Sequence, residues 1–196
     1  MAGPTIYYVR HGETDWNAEL RFQGQRDIPL NDTGRGQAKR NGQKLAEIIG
    51  DTAACKFVSS PLSRSRETME IIRRELALDA KTYQVDERLI EVSYGDLEGV
   101  TQPELKAMDR ELYYHRKNNA WTFRPENGES QEDVLVRVRD WHNSLDPTET
   151  YIVTAHGAVG RVVRHHLAGV PGNDVARYPF PQDKVFLFSE GEEHII

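Results

Sequence analysis

The sequence contains only one cysteine and no long hydrophobic segment, and both absences limit what the protein can be. Its single cysteine, Cys55, leaves no partner for an internal disulfide bond, as is typical of proteins in a reducing compartment. No apolar run approaches the roughly 20 residues that a membrane-spanning helix needs. The N-terminal segment MAGPTIYYVRHGE has neither the basic region nor the long apolar stretch of a signal peptide. We therefore expect a cytoplasmic protein that does not bind membranes.

Positive charge is also in the minority. The chain has 25 lysines and arginines against 31 aspartates and glutamates, which gives a formal net charge of −6. This balance argues against a broad nucleic-acid-binding surface, although a local cluster of cations can still hold an anion. The length of 196 residues suits one well-buried core, and no repeat, low-complexity segment or linker interrupts it. The sequence therefore predicts a single domain over residues 1–196, as a monomer or a homodimer.

The hydrophobic pattern alternates between strands and helices. Short β-branched and aromatic runs predict strands over residues 5–10, 55–60, 82–85, 151–156 and 184–189. Helical spacing predicts helices over about residues 33–49, 61–78, 102–117, 131–145 and 158–168. Asp32 or Thr33 is the predicted cap of the first helix, and Ser130 with Asp133 resembles a capping box. The alternation indicates an α/β fold with three α/β/α layers around a mostly parallel central sheet.

Two histidines end predicted strands in the same way. His11 follows the strand over residues 5–10, His156 ends the strand over residues 151–156, and each precedes a glycine. Ligand sites in parallel α/β sheets gather at the carboxyl ends of the strands, so we expect these histidines to lie close together. Arg64, on the helix after the second strand, is expected at the same edge.

This set of residue types suits phosphoryl transfer. Neutral imidazole is a good nucleophile near pH 7, so His11 could attack phosphorus. Arginine binds two phosphate oxygens at once and keeps its charge, which makes Arg10 and Arg64 suitable phosphate ligands. Together with His156, they predict a pocket for a phosphate dianion.

Five segments of the chain resemble successive motifs of the histidine phosphatase superfamily, in the branch that includes the cofactor-dependent phosphoglycerate mutases. They are VRHGETDWN (9–17), PLNDTGRGQA (29–38), SSPLSRSRET (59–68), LIEVSYGDLEG (89–99) and VTAHGAVGR (153–161). The matches keep the family's order over residues 9–161. The resemblance implies a phosphoglycerate mutase-like fold and a small-molecule phosphomonoester substrate, with no metal and no organic cofactor.

The resemblance also implies a role for each matched residue. His11 is the expected nucleophile, and Glu91 is the expected proton donor to the leaving alcohol. The five expected catalytic residues are His11, Glu91, Arg10, Arg64 and His156. The residues expected to bind the substrate phosphate are Arg10, Asn17, Gln23, Gly24, Arg64, His156 and Gly157.

The branch of the family is indicated by departures from the mutase pattern. Glycolytic mutases hold the carboxylate of a sugar acid with a lysine and a later pair of adjacent arginines. In this chain Gln102 takes the place of the lysine, and no Arg-Arg pair occurs between residues 103 and 130. The segment PENGES (125–130) instead resembles the phosphatase members. We therefore predict a phosphatase; the alternatives are a mutase-type phosphotransferase and a phosphate-binding regulatory module without turnover.

Several residues outside the motifs have a simpler interpretation. Arg110, Arg116 and Lys117 are expected on a solvated helix face. His165 and His166 are adjacent on a predicted helix and therefore point to different sides, which argues against a metal pair. Trp121 and Phe123 fit either the wall of the substrate pocket or the core.

Overall fold

A six-stranded sheet forms the centre of the computed structural model, which describes residues 3–196. The strands are β1 (Thr5–Arg10), β2 (Lys56–Ser59), β3 (Gln84–Val85), β4 (Thr150–Ala155), β5 (Val185–Ser189) and β6 (Glu192–Ile195). Their spatial order is β3-β2-β4-β1-β5-β6. The four strands from β3 to β1 pair in parallel, whereas β5 and β6 are added antiparallel. The predicted mostly parallel sheet is thus confirmed, with an antiparallel edge.

Strand β6 was not predicted from the sequence. Its residues are largely polar, and its burial is low because it forms the edge of the sheet. Glu190 and Gly191 both have positive φ angles, of 54° and 82°, in the two-residue turn that joins it to β5. Such turns suit the twist of a β-hairpin, so hairpin geometry, and not hydrophobic alternation, builds this strand.

Helices cover both faces of the sheet. They are α1 (Asp15–Ala18), α2 (Asp32–Ile48), α3 (Ser63–Glu75), α4 (Gln102–Met108), α5 (Arg110–Asn118), α6 (Gln131–Asn143) and α7 (Gly157–Ala168). Helices α2 and α3 pack on one core with Val9 and Ile152, whereas α6 and α7 pack on a second core with Tyr8 and Val153. Neighbouring residues of a strand point to opposite faces, so these two cores lie on the two sides of the sheet. The three-layer architecture is confirmed. Within residues 3–196, none of the helices has the length and apolar character to cross a membrane.

Two predicted helix boundaries were wrong. The single helix expected over residues 102–117 is divided at Asp109, whose backbone is extended and whose side chain accepts a hydrogen bond from the Leu112 N–H. Asp109 therefore ends α4 and caps α5, as aspartate often does by competing for backbone donors. Helix α2 is capped by Asn31, which accepts from the Gly34 N–H at 2.9 Å, and not by Asp32 or Thr33. The capping box of Ser130 is confirmed.

Candidate active site

The carboxyl ends of β1, β2 and β4 meet at one cavity of about 790 Å³. Because β1 and β4 are paired with Arg10 opposite Ala155, His11 and His156 leave the sheet side by side. Their ring centroids are 5.2 Å apart. The sheet thus brings together the two histidines as their strand-end positions predict.

His11 is held as a neutral imidazole. Its Nδ1 lies 2.7 Å from the Gly12 carbonyl oxygen, so the ring proton is on Nδ1 and donates to that oxygen. The Arg64 Nε–H donates to His11 Nε2 at 3.2 Å, which requires a lone pair on Nε2. Burial lowers the pKa of His11 well below its usual 6.5, and the charges of Arg64 and Arg10 lower it further. The second ring nitrogen, Nε2, therefore carries a free lone pair.

Arg64 connects His11 to the loop after α1. Its side chain is fully buried, and its two terminal nitrogens donate to the carbonyl oxygens of Arg26 at 2.6 Å and Gly24 at 2.8 Å. Burial lowers the pKa of Arg64 to about 10, so the guanidinium stays charged at neutral pH. Gly24 has a φ of +54° and no room for a side chain against Glu98, so glycine is required there. Arg64 and Gly24 thus fix each other beside His11.

Arg10 offers a donor that no described residue accepts. One terminal nitrogen donates to the Phe180 carbonyl oxygen at 2.9 Å. The Nε is buried and has no hydrogen-bond partner in residues 3–196. Gly157 packs directly against this nitrogen, since a Cβ at position 157 would lie 3.2 Å from it. Burial, followed by the charge of Arg161, lowers the pKa of Arg10. A bound anion would satisfy both the donor and the charge.

His156 lies behind the cavity lining, in ring contact with His11. Its Nε2 lies 2.6 Å from Ser60 Oγ, and its Nδ1 is buried without a partner in the described part of the chain. The Tyr8 hydroxyl accepts from the His156 backbone N–H at 3.0 Å and donates to its carbonyl oxygen at 2.7 Å, which fixes the backbone there. Burial lowers the pKa of His156 well below its usual value, and Arg64 and His11 add to this.

Glu91 reaches the cavity from the segment between β3 and α4. Its carboxylate accepts backbone N–H bonds from Val92 at 3.0 Å, Ala158 at 3.3 Å and Val159 at 3.3 Å. The last two donors belong to the first turn of α7, where unpaired N–H groups favour a negative charge. Glu91 is therefore positioned by the helix that begins beside His156, and it lines the same cavity as His11.

The remaining predicted substrate-binding residues also line this cavity. Asn17 Oδ1 accepts from Gln182 Nε2 at 3.0 Å and from the Thr14 N–H at 3.2 Å. Gln23 Oε1 is buried without a partner in residues 3–196. Of the predicted site residues, all but His156 are part of the cavity lining: Arg10, His11, Asn17, Gln23, Gly24, Arg64, Glu91 and Gly157. His156 lies behind them, in ring contact with His11.

Two cations of the predicted solvated helix face line the cavity, and one of them is half-buried. Arg116 lies over the ring of Phe22 at 4.3 Å from its centroid, and Lys117 follows it at the end of α5. The interpretation as a solvated face was therefore wrong for the half-buried Arg116, whereas Arg110 and Lys117 are exposed as predicted. No local sequence signal distinguishes these cases.

The choice that the sequence left open for two aromatic residues is now decided. Phe123 lines the cavity, whereas Trp121 packs in the core against Gly172 and the ring of His165 at 4.6 Å between centroids. His165 Nδ1 pairs with the Val170 carbonyl oxygen at 2.8 Å. Within residues 3–196, no group of three or more His, Cys, Asp or Glu side chains is arranged to hold a metal ion.

Positive charge is concentrated at this cavity. Its cationic lining residues are Arg10, Arg21, Arg64, Arg116, Lys117, Arg161 and Arg177. The acidic lining residues are Glu13, Glu91 and Glu129. The excess of cations, in a protein of net charge −6, makes the cavity a site for an anionic ligand.

Comparison with known families and proteins agrees with this chemistry. The family model for branch 1 of the histidine phosphatase superfamily matches residues 6–194. A 2,3-bisphosphoglycerate-dependent phosphoglycerate mutase of Brucella melitensis is 32% identical over 181 residues, which cover 88% of this chain and 85% of the mutase.

Solved structures of similar proteins share the whole fold. Bacillus stearothermophilus YhfR superimposes with a TM-score of 0.82 at 30% identity, covering 98% of this chain and 95% of that one. A mycobacterial glucosyl-3-phosphoglycerate phosphatase superimposes with a TM-score of 0.80 at 25% identity, covering 100% of this chain and 97% of that one.

Proposed function

The chain belongs to branch 1 of the histidine phosphatase superfamily, and on this basis we propose that it hydrolyses phosphomonoesters through a phosphohistidine on His11. The observation that supports the proposal is the state of His11, a buried neutral imidazole whose Nε2 lone pair lies beside a charged arginine. A similar fold in a mycobacterial phosphatase is consistent with it.

In the first step, His11 Nε2 attacks phosphorus and the bond from phosphorus to the ester oxygen breaks. Glu91 gives its proton to the departing alkoxide, which leaves as an alcohol. The imidazole becomes positively charged, and the hydrogen bond from Nδ1 to the Gly12 carbonyl oxygen stabilises that charge. The unpartnered donor of Arg10 binds the phosphoryl oxygens where negative charge develops.

In the second step, Glu91 takes a proton from water, and the oxygen of that water attacks phosphorus. The bond from phosphorus to Nε2 breaks, its electron pair returns to the ring, and phosphate leaves. Arg10, Arg64 and His156 stabilise the transferring group in both steps. We propose that the two arginines replace a metal ion, because they already supply fixed positive charge around the phosphorus.

Phosphate release from a panel of phosphomonoesters tests this proposal. We expect release to persist in excess EDTA, because arginines and not a metal supply the positive charge. Vanadate, which mimics five-coordinate phosphorus, should inhibit. If EDTA removed the activity and zinc or manganese restored it, the metal-free mechanism would be wrong. Binding of phosphate with no turnover of any ester would instead support the regulatory module.

A phosphoglycerate mutase-type phosphotransferase is the second candidate. Its support is the pair Arg116 and Lys117, two cations on the cavity wall that could hold a substrate carboxylate, together with the identity to the Brucella mutase. Gln102, which lines the same cavity in place of the mutase lysine, argues against it. A mutase must also protect its phosphohistidine from water, whereas a phosphatase must admit water.

Comparing the rates of hydrolysis and isomerisation of one substrate distinguishes a phosphatase from a mutase. We expect phosphate release from 3-phosphoglycerate to be faster than its isomerisation. This chain has the uncharged Gln102 where the mutases have a lysine that binds the carboxylate. Both rates are measured on one sample, isomerisation with a coupled enzyme assay and release as free phosphate. Isomerisation much faster than release would make the protein a mutase.

A further inference from the structure

Arg161 is a cavity residue to which none of the proposed catalytic steps assigns a role. It lies on α7, where Gly157, Ala158 and Arg161 share the face that lines the cavity. Its Nε is buried and has no hydrogen-bond partner in residues 3–196, and within the same residues its guanidinium makes no ion pair. Arg161 therefore brings an unsatisfied positive group to the substrate side of the site.

Other inward-facing arginines differ from Arg161 in that their terminal nitrogens have partners in the chain, although the Nε of Arg137 also lacks a partner within residues 3–196. Arg64 donates to two backbone carbonyl oxygens. Arg137 donates to the carbonyl oxygens of Arg88 and Glu91, and Arg164 forms a bidentate pair with Glu193. A buried donor without an acceptor is costly. An acceptor from outside the chain would remove that cost for Arg161.

The neighbouring Arg10 increases the need for such an acceptor. Its Nε also lacks a partner in the described residues, and the charge of Arg161 contributes to lowering the pKa of Arg10. Two adjacent guanidinium groups repel each other at low dielectric, and an anion within reach of both would turn this repulsion into attraction.

The transferring phosphate already has its own ligands. Arg10, Arg64 and His156 surround His11, and two arginines balance about two phosphate charges at neutral pH. The backbone of Arg161 lies about 6 Å further along α7 than Gly157, at a rise of about 1.5 Å per residue. Asn173 and Arg177 line the same cavity, and the guanidinium of Arg177 is already paired with Asp174 at 2.9 Å. The free positive charge of Arg161 is thus in excess of what the phosphate needs.

We propose that Arg161 determines specificity by binding a second anionic group, a carboxylate or a second phosphate, on the alcohol portion of the substrate. The inference rests on the proposed function, since it assumes that the cavity holds a phosphomonoester with its phosphate at His11. It names the substrate class as phosphomonoesters whose leaving alcohol is itself an anion.

Matched substrates test the proposal. 3-Phosphoglycerate and glycerol 3-phosphate differ in having a carboxylate or a hydroxymethyl group. Fructose 1,6-bisphosphate and fructose 6-phosphate differ in a second phosphate. Each is measured as a substrate and as a competitor of p-nitrophenyl phosphate hydrolysis, with wild type, Arg161→Gln and Arg161→Lys. The control is Arg74→Gln, which removes a paired and largely exposed guanidinium that does not line the cavity.

We expect Arg161→Gln to raise KM and the inhibition constant for the anionic member of at least one pair by about 10- to 100-fold, the value of a charged hydrogen bond. The loss for the partner without the second anion should be much smaller. Arg161→Lys should recover part of the affinity, and Arg74→Gln should change neither member of any pair by much. The pair that responds identifies the second anion as a carboxylate or a phosphate.

Equal losses for both members of each pair would overturn the proposal, because Arg161 would then act on the common phosphate or on the fold. No loss for either member would overturn it too. A thermal melting curve of Arg161→Gln shows whether the fold is kept. If the wild type released no phosphate from any ester, the proposed function would fail separately. Calorimetric binding of the same four compounds would still test Arg161 in that case.

Discussion

His11→Ala is expected to lower phosphate release by at least about 10⁴-fold, the scale of loss when a covalent nucleophile is removed. The variant loses the only atom proposed to bond to phosphorus, and the cations that remain can bind phosphate but cannot replace that atom. The fold should survive, because His11 lies at the end of β1 and its Nδ1 contacts only the adjacent Gly12 carbonyl. Release is measured with several substrates, and circular dichroism checks the fold.

Trapping the proposed phosphohistidine intermediate tests directly whether His11 is the nucleophile. Brief incubation with ³²P-labelled substrate should label the wild type with a phosphate that is labile in acid and stable in base, as phosphohistidine is. The control His194→Ala removes an exposed histidine of β6 and should label like the wild type. A base-labile acyl phosphate, or full labelling of His11→Ala, would refute the assignment of the nucleophile.

Glu91→Gln is expected to slow cleavage of an alkyl phosphate by roughly 10²–10⁴-fold, as for loss of a general acid. An alkoxide is a poor leaving group and needs a proton, whereas a nitrophenolate leaves well without one. The phosphorylation of His11 by p-nitrophenyl phosphate should therefore be slowed much less. Single-turnover rates with both substrates, in wild type and variant, measure the contrast.

The hydrogen bonds of Glu91 affect how the difference between the two substrates is interpreted. The Glu91 carboxylate also accepts N–H groups from Ala158 and Val159, so it anchors the start of α7. Equal losses on both substrates would mean that this anchoring is its whole role. Glu129→Gln is the matched control, because Glu129 lines the same cavity but accepts from Ser93 and faces Arg137 instead.

Strand ends are the part of the site that the sequence could predict. A buried strand followed by a polar residue and glycine fixes where the chain leaves the sheet, and parallel pairing then places His11 beside His156. Both the strand pattern and the turn are local properties, so the sequence determines them directly. The core fold could be predicted for the same reason. Hydrophobic residues repeat every two positions in strands and every 3.6 positions in helices, and this spacing indicates which face of each element is buried.

Contacts between segments far apart in the chain could not be predicted in this way. Whether Arg116 faces solvent or the cavity depends on its packing against the ring of Phe22, which lies far away in the sequence. Trp121 lies in the core because Gly172 leaves room for its ring, and no pattern near Trp121 reports that space. The polar edge strand β6 could not be predicted either, because its sequence lacks the hydrophobic alternation of a buried strand.

The sequence by itself therefore determined the core of the fold, the position of His11 at a strand end and the family motifs, because short segments specify them. The tertiary structure alone decided which cations line the cavity and which of their donors lack a partner. That outcome depends on long-range packing: Arg64 finds carbonyl oxygens of the loop after α1, while Arg161 finds none in the described chain. Charge on a side chain can be counted from the sequence, but its partner can be identified only when the chain is folded.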